Sequence, residues 1–280
     1  MKSPCSILIT GASSGIGAAL ARGYARDGVA LALTGRDPAR LAAVADDCKA
    51  AGATISTAEL DVTDDAALAA WIAEVDKAHP IELGIVNAGI TGGTNRDQRR
   101  ETPEAIKRVL AVNLDGAINT IEPLVDAMLP RGRGQVAIVS SLAGLRGLPY
   151  SPTYSASKAA LIAYGEALRT ALRGDGIEIN VICPGFVETP LDDSISGPKP
   201  LRVSAKRAAR TIRRGLARNR ARIAFPLLLY WGTLAMRAIP SFLVDPVMLK
   251  IAVEVPTPQT GSKVAAAPKP AQAVRRQKLK

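Results

Sequence analysis

Tyr154 and Lys158 are the two side chains of this 280-residue sequence whose spacing most clearly indicates chemistry. They lie four residues apart, so a helix places both on one face, where they can act on one bound molecule. A free tyrosine, with a pKa of about 10, is only about 0.1% ionised at pH 7 and is a poor base. A nearby ammonium favours the phenolate and can lower that pKa by about 1–3 units. The pair predicts a proton donor and acceptor; an exposed helical pair without a catalytic role is the alternative.

A glycine-rich segment directly follows the first apolar run of the chain, Ser6–Thr10, and precedes an alanine-rich helical pattern. Three glycines in this position allow a tight turn, approach of the backbone to a pyrophosphate and close packing of helix on strand. The anion would meet the free N–H groups at the helix N-terminus. We therefore predict a dinucleotide-binding turn, with a plain structural turn as the alternative. Its candidate residues are Gly11, Ser13, Ser14, Gly15, Ile16 and Gly17.

The glycine spacing, Gly-x-x-x-Gly-x-Gly, resembles that of the short-chain dehydrogenase/reductase family. The other motifs that resemble this family follow in order along about residues 5–225, and the ordered set is far more specific than any single motif. These motifs are Asp61-Val62, Asn87-Ala88-Gly89, Asn113, Ser140-Ser141, Tyr154-x-x-x-Lys158 and Pro184-Gly185-Phe186-Val187-Glu188-Thr189.

The resemblance implies a role for each matching residue. Tyr154 would protonate the substrate oxygen as the nicotinamide delivers hydride to carbon, or deprotonate the alcohol in reverse. Lys158 would also bind the nicotinamide ribose, Ser141 would hydrogen-bond the carbonyl beside its neighbour Ser140, and Asn113 would hold a water in the proton relay. The further implied cofactor contacts are Asp61 and Val62 at the adenine, Asn87, Ala88 and Gly89 along the cofactor, Pro184 and Gly185, and Val187 and Thr189 at the carboxamide. For Asp61 and Asn87, ordinary turn capping at strand ends is the alternative.

Cofactor choice depends on the end of the second predicted strand, Leu33-Thr34-Gly35-Arg36-Asp37. An NAD-selective site offers an acid there to the ribose hydroxyls, whereas an arginine suits a 2′-phosphate. Gly35 stands where NAD users of the family carry the acid, and Arg36 follows. The sequence therefore favours NADP(H) over NAD(H), with Ser13 as a further hydroxyl contact. An exposed arginine, with Asp37 as its ion-pair partner or as a helix N-cap, is the alternative.

Short aliphatic runs alternate with longer helical patterns over residues 1–198, which is typical of a doubly wound parallel sheet. We predict a single α/β domain, of the Rossmann type, with about seven parallel strands and helices on both faces. The predicted strands are Ser6–Thr10, Val29–Thr34, Thr54–Asp61, Gly84–Asn87, Gln135–Ser140, Glu178–Cys183 and Arg222–Phe225, and helical patterns cover Ile16–Arg26, Pro38–Ala51 and Ala66–Lys77. The catalytic domain would span 1–255, with a substrate cover at about 189–221, an apolar segment at about 223–255, and a basic, disordered tail at 256–280.

Positive charge is confined to the C-terminal part of the chain. Residues 1–198 hold 18 Lys+Arg and 23 Asp+Glu, whereas residues 199–280 hold 18 and 2, and together they give the net charge of +11. A basic end of this kind raises nucleic-acid binding as a possibility. We disfavour it because no aromatic platform, zinc knuckle or helix-turn-helix pattern accompanies the charges. The charge therefore predicts an appendage to a separate catalytic body.

Two interpretations of residues 199–255 stay open. Lys199–Arg222 carries ten Lys/Arg, no acid and an apolar stripe of Ala205, Ala208, Ala209, Ile212 and Leu216, and Ile223–Met236 is uncharged. In the first interpretation, Leu227–Val255 covers the substrate cleft or a partner subunit, and the arginines lie on a solvated face. In the second, residues 199–244 lie on an anionic membrane surface. A spanning helix is disfavoured because prolines interrupt the apolar segment.

The function that we predict is that of an NADP(H)-dependent oxidoreductase, which interconverts a carbonyl and a secondary alcohol on an apolar or lipid-like substrate. The alternative is a catalytically idle NADP-binding sensor or scaffold at a membrane. The resemblance implies a homodimer or homotetramer, and three cysteines and one histidine indicate a cytoplasmic protein without disulfides or a metal site. The apolar residues expected at the pocket are Leu191, Ile195, Leu227, Leu228, Leu229, Tyr230, Trp231 and Phe242.

Overall fold

Seven parallel strands form the central sheet of the computed structural model, which describes residues 3–95, 97–98, 100–250 and 252–255. In the described residues two further short strands pair with each other beside this sheet. The strands are β1 Ser6–Thr10, β2 Ala30–Gly35, β3 Thr54–Glu59, β4 Leu83–Val86, β5 Gly134–Val139, β6 Ile177–Pro184, β7 Val187–Glu188, β8 Val203–Ser204 and β9 Arg222–Phe225.

Helices connect the strands. They are α1 Gly15–Tyr24, α2 Pro38–Ala50, α3 Asp65–Ala78, α4 Pro103–Leu110, α5 Gly116–Met128, α6 Pro152–Ala171, α7 Pro190–Asp193, α8 Ala205–Leu216, α9 Leu227–Ala238 and α10 Ser241–Lys250. A π-helical turn, Ala111–Asp115, joins α4 to α5, and 3₁₀ turns occupy Leu129–Arg131, Leu142–Gly144 and Leu172–Asp175.

The strand order of the large sheet is β3-β2-β1-β4-β5-β6-β9, and every pairing in it is parallel. This is a Rossmann-type doubly wound fold, as the sequence predicts, and the predicted strand ends agree with the observed ones to within two residues. The chain reverses direction across the sheet between β1 and β4. A crevice opens at the carboxyl ends of the strands at such a point, where ligands of this fold class bind.

Both faces of the sheet are covered, because side chains on a strand alternate between its two faces. On β1, Ile7 and Ile9 join one buried cluster, which includes residues of α1, α2 and α8, whereas Leu8 joins a second with residues of α3, α5 and α6. The first strand is therefore buried throughout, and its carboxyl end is held firmly beneath the crevice.

The apolar stripe of α8 packs into the protein core. Ala208, Ala209, Ile212 and Leu216 are all buried and belong to the same cluster as α1. The guanidinium of Arg213 lies over the ring of Tyr24, 4.7 Å from its centroid. The stripe is consequently not available to a membrane, contrary to the second interpretation of the sequence, and only the basic side of α8 faces solvent.

After β9, the described chain folds over the sheet edge as α9, α10 and the segment 252–255. Ser196 and Glu254 form an antiparallel bridge, in which each backbone N–H donates to the other residue's carbonyl. None of the described helices is long and apolar enough to cross a membrane. The predicted tail, residues 256–280, lies outside the described residues.

The burial of α8 can be tested by replacing Ile212 with alanine. If this stripe belongs to the core, Ile212→Ala creates a cavity and lowers the free energy of unfolding by about 2–5 kcal/mol. The matched control is Leu228→Ala on the exposed side of α9, which should change it by less than about 0.5 kcal/mol. Urea unfolding of both variants measures the difference, and equal, small effects would place the stripe of α8 outside the core.

Candidate active site

A cavity of about 760 Å³ opens at the carboxyl ends of the strands, at the reversal between β1 and β4. It extends from Arg36 and Arg40, after β2, past the glycine-rich turn to Tyr154 on α6. All but two of the predicted site residues line this cavity; the exceptions are Gly17 and Asn113. The fold therefore brings together residues that lie as much as 178 positions apart in the sequence, from Gly11 to Thr189.

The glycine-rich turn depends on two close approaches of backbone. Gly11 has a φ of +66°, and a Cβ at this position would lie 2.8 Å from the Cα of Ala88. A Cβ on Gly17 would lie 2.3 Å from the carbonyl oxygen of Gly11. Gly17 thus serves the packing of α1 on the turn and does not itself line the cavity. The result is a bare backbone surface at the N-terminus of α1, which fits a pyrophosphate.

Asn87 braces this turn from the neighbouring strand. Its Nδ2 donates to the carbonyl oxygens of Thr10, at 3.0 Å, and Gly11, at 3.1 Å. The hydroxyl of Thr10 in turn accepts the backbone N–H groups of Asn87 and Ala88. The side chain of Asn87 therefore links the ends of β1 and β4, a structural task, while the residue still lines the cavity.

The end of the cavity that lies after β2 carries two arginines. Arg36 lies 4.0 Å from a carboxylate oxygen of Asp61, whose other oxygen accepts from the backbone and hydroxyl of Thr63. Asp37 caps α2 by accepting from the backbone of Arg40 and forms its ion pair with the side chain of Arg40, at 2.5 Å. Arg40 also lines the cavity and was not predicted from the sequence. Its position in the first turn of α2, four residues after Arg36, is a signal that could have indicated it.

Gly35 stands at the end of β2 with its α-hydrogens against Ser13. A Cβ at this position would lie 3.0 Å from the Ser13 hydroxyl and 3.1 Å from its Cβ. Any side chain at position 35 would therefore crowd the glycine-rich turn.

Lys158 and Tyr154 lie together on the first turns of α6, as the four-residue spacing predicts. The Lys158 ammonium is buried, donates to the carbonyl oxygen of Val139 at 3.1 Å and lies 5.8 Å from the centre of the Tyr154 ring. Ser140 donates to the backbone carbonyl of Lys158 at 2.7 Å, which leaves Ser141 as the serine that faces the phenol. The Ser141 hydroxyl also accepts from the backbone of Ala143 and lies 3.4 Å from the carbonyl oxygen of Pro184.

Burial shifts the pKa values of both catalytic candidates. It raises the pKa of Tyr154, a shift that the hydrogen bond with Ser141 opposes and the negative charge of Asp192 reinforces. Burial lowers the pKa of Lys158 to about 8. At pH 7 the phenol therefore holds its proton and the lysine is mostly charged, so the site is prepared to donate a proton.

Asn113 lies in the π-helical turn Ala111–Asp115 and is buried. Its Oδ1 accepts from the backbone N–H of Ile90 at 2.8 Å, and its Nδ2 donates to the carbonyl oxygen of Ile90 at 2.9 Å. Both ends of the side-chain amide are thus used to hold the loop after β4.

A buried carboxylate, that of Asp192 on α7, is a second feature that the sequence reasoning missed. Arg202 lies 2.7 Å and Lys199 3.4 Å from one of its oxygens. The first interpretation of the sequence placed the arginines of this segment on a solvated face. Arg202 instead joins Lys199 in fixing the loop between β7 and β8. Asp192 and Lys199 both line the cavity, so this ion pair closes one of its walls.

The cover over the far end of the cavity comes from two separate parts of the chain. Residues 189–200 supply one side, where Leu191 and Ile195 line the cavity as predicted, but α8 takes no part in it. The other side is formed by α9, α10 and the segment 252–255, through Leu229, Thr233, Met236, Met248 and Val253. Leu227, Leu228, Trp231 and Phe242 point to solvent and Tyr230 packs beside the cavity in another cluster. Of the segment 189–221, only residues up to 200 line the cavity, whereas the second side, including Leu229, agrees with the interpretation in which Leu227–Val255 covers the cleft.

The cysteines and the histidine lie outside the chemistry of the site. Cys183 is buried on β6, and its burial raises the thiol pKa to about 12, so it remains a thiol. His79 ends α3 at the surface. In the part of the chain that the structure describes, no group of three or more His, Cys, Asp or Glu residues is arranged to hold a metal ion.

Curated relatives share most of the length of this chain. An uncharacterized oxidoreductase of Myxococcus xanthus (strain DK1622) is 38% identical over 239 residues, which cover 85% of this chain and 94% of the relative. The ketoacyl reductase HetN of Nostoc sp. (strain PCC 7120) is 33% identical over 207 residues, which cover 72% of this chain and 71% of the relative.

Solved structures show the same architecture. A short-chain dehydrogenase from Sphingobium yanoikuyae in complex with NADPH superimposes with a TM-score of 0.72 at 25% identity, covering 86% of this chain and 95% of that one. An NAD⁺-bound xylitol dehydrogenase gives 0.62 at 28% identity, covering 65% and 70%. The model of the short chain dehydrogenase family matches residues 6–199, which include the glycine-rich turn and the Tyr154–Lys158 pair. This chain therefore belongs to the short-chain dehydrogenase family of oxidoreductases.

Proposed function

We propose that this protein is an NADP(H)-dependent oxidoreductase that interconverts a carbonyl and a secondary alcohol on an apolar substrate. The observation that carries the proposal is one continuous cavity, which joins two arginines, a bare glycine turn, the Ser141–Tyr154–Lys158 group and an apolar far end. The arginines and the glycine turn suit a phosphorylated dinucleotide. The Ser141–Tyr154–Lys158 group suits proton transfer, and the apolar far end suits the substrate.

Proton transfer is the task of the phenol. When bound, a nicotinamide cofactor supplies or accepts the hydride. Tyr154 Oη then gives its proton to the substrate oxygen during reduction and recovers it during oxidation, while the Ser141 hydroxyl holds the same oxygen. The charged Lys158 ammonium near the ring favours the phenolate that reduction leaves behind, because it is an opposite charge in a site of low dielectric. Burial holds the pKa of Tyr154 above its usual value in the free protein, so the phenol carries the proton that reduction would consume.

Specificity for the 2′-phosphate is assigned to Arg36 and Arg40. Position 35 has no acid to receive ribose hydroxyls, and crowding by Ser13 disfavours one. Both guanidiniums border the cavity, and each has a carboxylate beside it, Asp61 for Arg36 and Asp37 for Arg40, that holds it in place. Planar guanidiniums recognise phosphate oxygens in pairs, and such charge-assisted bonds typically contribute about 1.5–3 kcal/mol.

The substrate end of the cavity selects apolar molecules. Leu191, Ile195, Leu229, Met236 and Met248 form most of its wall, and methionine side chains adapt readily to irregular shapes. The relative HetN is a ketoacyl reductase, which supports a carbonyl substrate attached to an apolar chain. An idle sensor is disfavoured because Ser141, Tyr154 and Lys158 all line one cavity, with the Lys158 ammonium 5.8 Å from the centre of the Tyr154 ring. The cytoplasmic location and the homodimer or homotetramer remain predictions from the sequence.

Replacing the phenol tests the proton step. Tyr154→Phe should lower kcat for reduction of an apolar ketone by about 10²–10⁴-fold, because general acid catalysis typically contributes that much. Binding of NADPH, followed by its fluorescence, should stay within about threefold of the wild type. Tyr164→Phe, on the same helix but bonded to Glu122 away from the cavity, is the matched control. Near-normal turnover of the Tyr154 variant would remove Tyr154 from the mechanism.

Replacing both arginines tests cofactor choice. Arg36→Ser/Arg40→Ser should raise KM for NADPH by about 10–100-fold and leave KM for NADH nearly unchanged, because only NADPH carries the 2′-phosphate. Arg133→Ser, an exposed position just before β5 and therefore at the opposite end of the strands from the cavity, should change neither value. Equal effects on the two cofactors, or a wild-type enzyme that prefers NADH, would contradict the assignment.

Replacing Lys158 tests the cost of its buried charge. Below a pH of about 8 the folded protein keeps a desolvated ammonium, so Lys158→Met should raise the free energy of unfolding by about 1–3 kcal/mol while abolishing turnover. Between about pH 8 and 10.5 the folded form loses this proton before the unfolded form does, so the gain should shrink as pH rises. Urea unfolding at pH 7 and at higher pH measures it, with exposed Lys77→Met as the control. A gain that does not change with pH would contradict a depressed pKa.

A further inference from the structure

Helix α9 is apolar around its whole circumference but covered on one side only. Leu229, Thr233 and Met236 face the cavity, whereas Leu227, Leu228 and Trp231 are exposed, with Leu228 75% and Trp231 63% accessible. The exposed set recurs at intervals of three and four residues and therefore forms a stripe. A helix that is apolar on every side is expected to be buried on every side, so this stripe lacks a cover within the described chain.

Helix α10 repeats the pattern. Val244 and Met248 are buried, four residues apart, while Phe242 is 74% exposed and Leu243, Val247 and Leu249 are more than 48% exposed. Its one acid, Asp245, forms an ion pair with Arg146 at 3.1 Å. Two consecutive helices thus present large apolar side chains to the outside, an arrangement that marks interaction surfaces in proteins.

A row of arginines lies beside this apolar surface. Arg207, Arg210 and Arg214 follow one side of α8 at intervals of three and four residues, and Arg218 comes next after the helix ends. All four are exposed, and none forms an ion pair with another described residue. Arg214 and Arg218 share a surface cleft with Leu227 and Tyr230 of α9, so basic and apolar side chains meet there directly.

Charge decides which partner fits the combined surface. A second copy of this chain would bring 18 Lys+Arg and 2 Asp+Glu of residues 199–280 against the same excess, which is repulsive. Residues 256–280 do not suit it as a cover either, since they carry six Lys/Arg and no acid, with Val264, Val274 and Leu279 as their only large apolar residues. A negatively charged surface with an apolar layer beneath it would bind both the arginines of α8 and the exposed apolar side chains of α9 and α10.

We propose that α9, α10 and the basic side of α8 dock on a bilayer surface that carries anionic headgroups. Trp231 and Phe242 would enter the interface beside the acyl chains, and the arginines would meet the phosphates. The same two helices line the substrate end of the cavity, so docking would place the cavity cover at the lipid layer. The docking does not depend on the proposed reaction.

Flotation with vesicles tests this inference on the full chain. Binding to vesicles of equal parts phosphatidylglycerol and phosphatidylcholine should exceed binding to phosphatidylcholine alone by at least about tenfold in low salt, and should weaken in high salt. In a Trp71→Phe background Trp231 is the sole tryptophan. Its emission should shift to the blue on binding and be quenched by brominated acyl chains.

Two pairs of variants separate the apolar and basic contributions. Leu228→Ser/Phe242→Ser and Arg214→Gln/Arg218→Gln should each weaken binding by about tenfold or more, and the second pair should also reduce its salt dependence. The matched controls, Leu129→Ser and Lys77→Gln/Arg133→Gln, change exposed residues at the end of α3 and just before β5, outside α8, α9 and α10, and should bind as the wild type does. Wild-type binding to anionic vesicles that both pairs of variants weaken, together with absence of turnover on every ketone tried, would refute the proposed reaction alone.

Three results would overturn the inference. The first is that the wild-type protein fails to float with anionic vesicles in low salt. The second is that Leu228→Ser/Phe242→Ser and Arg214→Gln/Arg218→Gln bind as well as the controls, and the third is that the wild type binds neutral vesicles equally well. Sedimentation velocity adds a fourth: an oligomer that dissociates in Leu228→Ser/Phe242→Ser without any vesicle binding would show that the surface joins copies of this chain.

Discussion

Two hydrogen bonds from the side-chain amide of Asn87 to the carbonyl oxygens of Thr10 and Gly11 hold the site together. They tie the ends of β1 and β4 at the point where the sheet reverses direction, and they permit the 2.8 Å approach that leaves no room for a Cβ on Gly11. The glycine turn, the start of α1 and the loop after β4 all take their positions from this link. A looser turn would separate the cofactor end of the cavity from the proton donor.

The buried ammonium of Lys158 lowers the stability of the fold at the position where the proposed reaction needs a positive charge. Its ammonium is buried with one backbone acceptor, the carbonyl of Val139, and its pKa falls to about 8. The charge destabilises the free protein, because desolvation costs more than one hydrogen bond returns. It also places a cation near the Tyr154 phenol, where the developing phenolate needs one. Stability and activity thus oppose each other at this residue.

The C-terminal part of the chain serves two surfaces at once. Its inward side closes the cavity through Met236, Met248 and Val253, and its outward side carries the exposed apolar residues of α9 and α10. The positive charge is divided in the same manner. Arg202 forms an ion pair with Asp192 and Arg213 lies over the Tyr24 ring, whereas the row from Arg207 to Arg218 is exposed.

The sequence by itself determined the parallel sheet, the glycine-rich turn and the shared helix face of Tyr154 and Lys158, because these depend on local patterns. Alternating apolar runs specify parallel strands, glycine spacing specifies the turn, and the interval from Tyr154 to Lys158 specifies a shared helix face. Tertiary structure decided what depends on contacts between distant segments. It buried the apolar stripe of α8 against α1, gave the Asn113 amide to Ile90, and brought Arg40 and Asp192 to the cavity. An amphipathic helix shows the same pattern whether a core or a membrane covers it, so only the packing partner could distinguish the two.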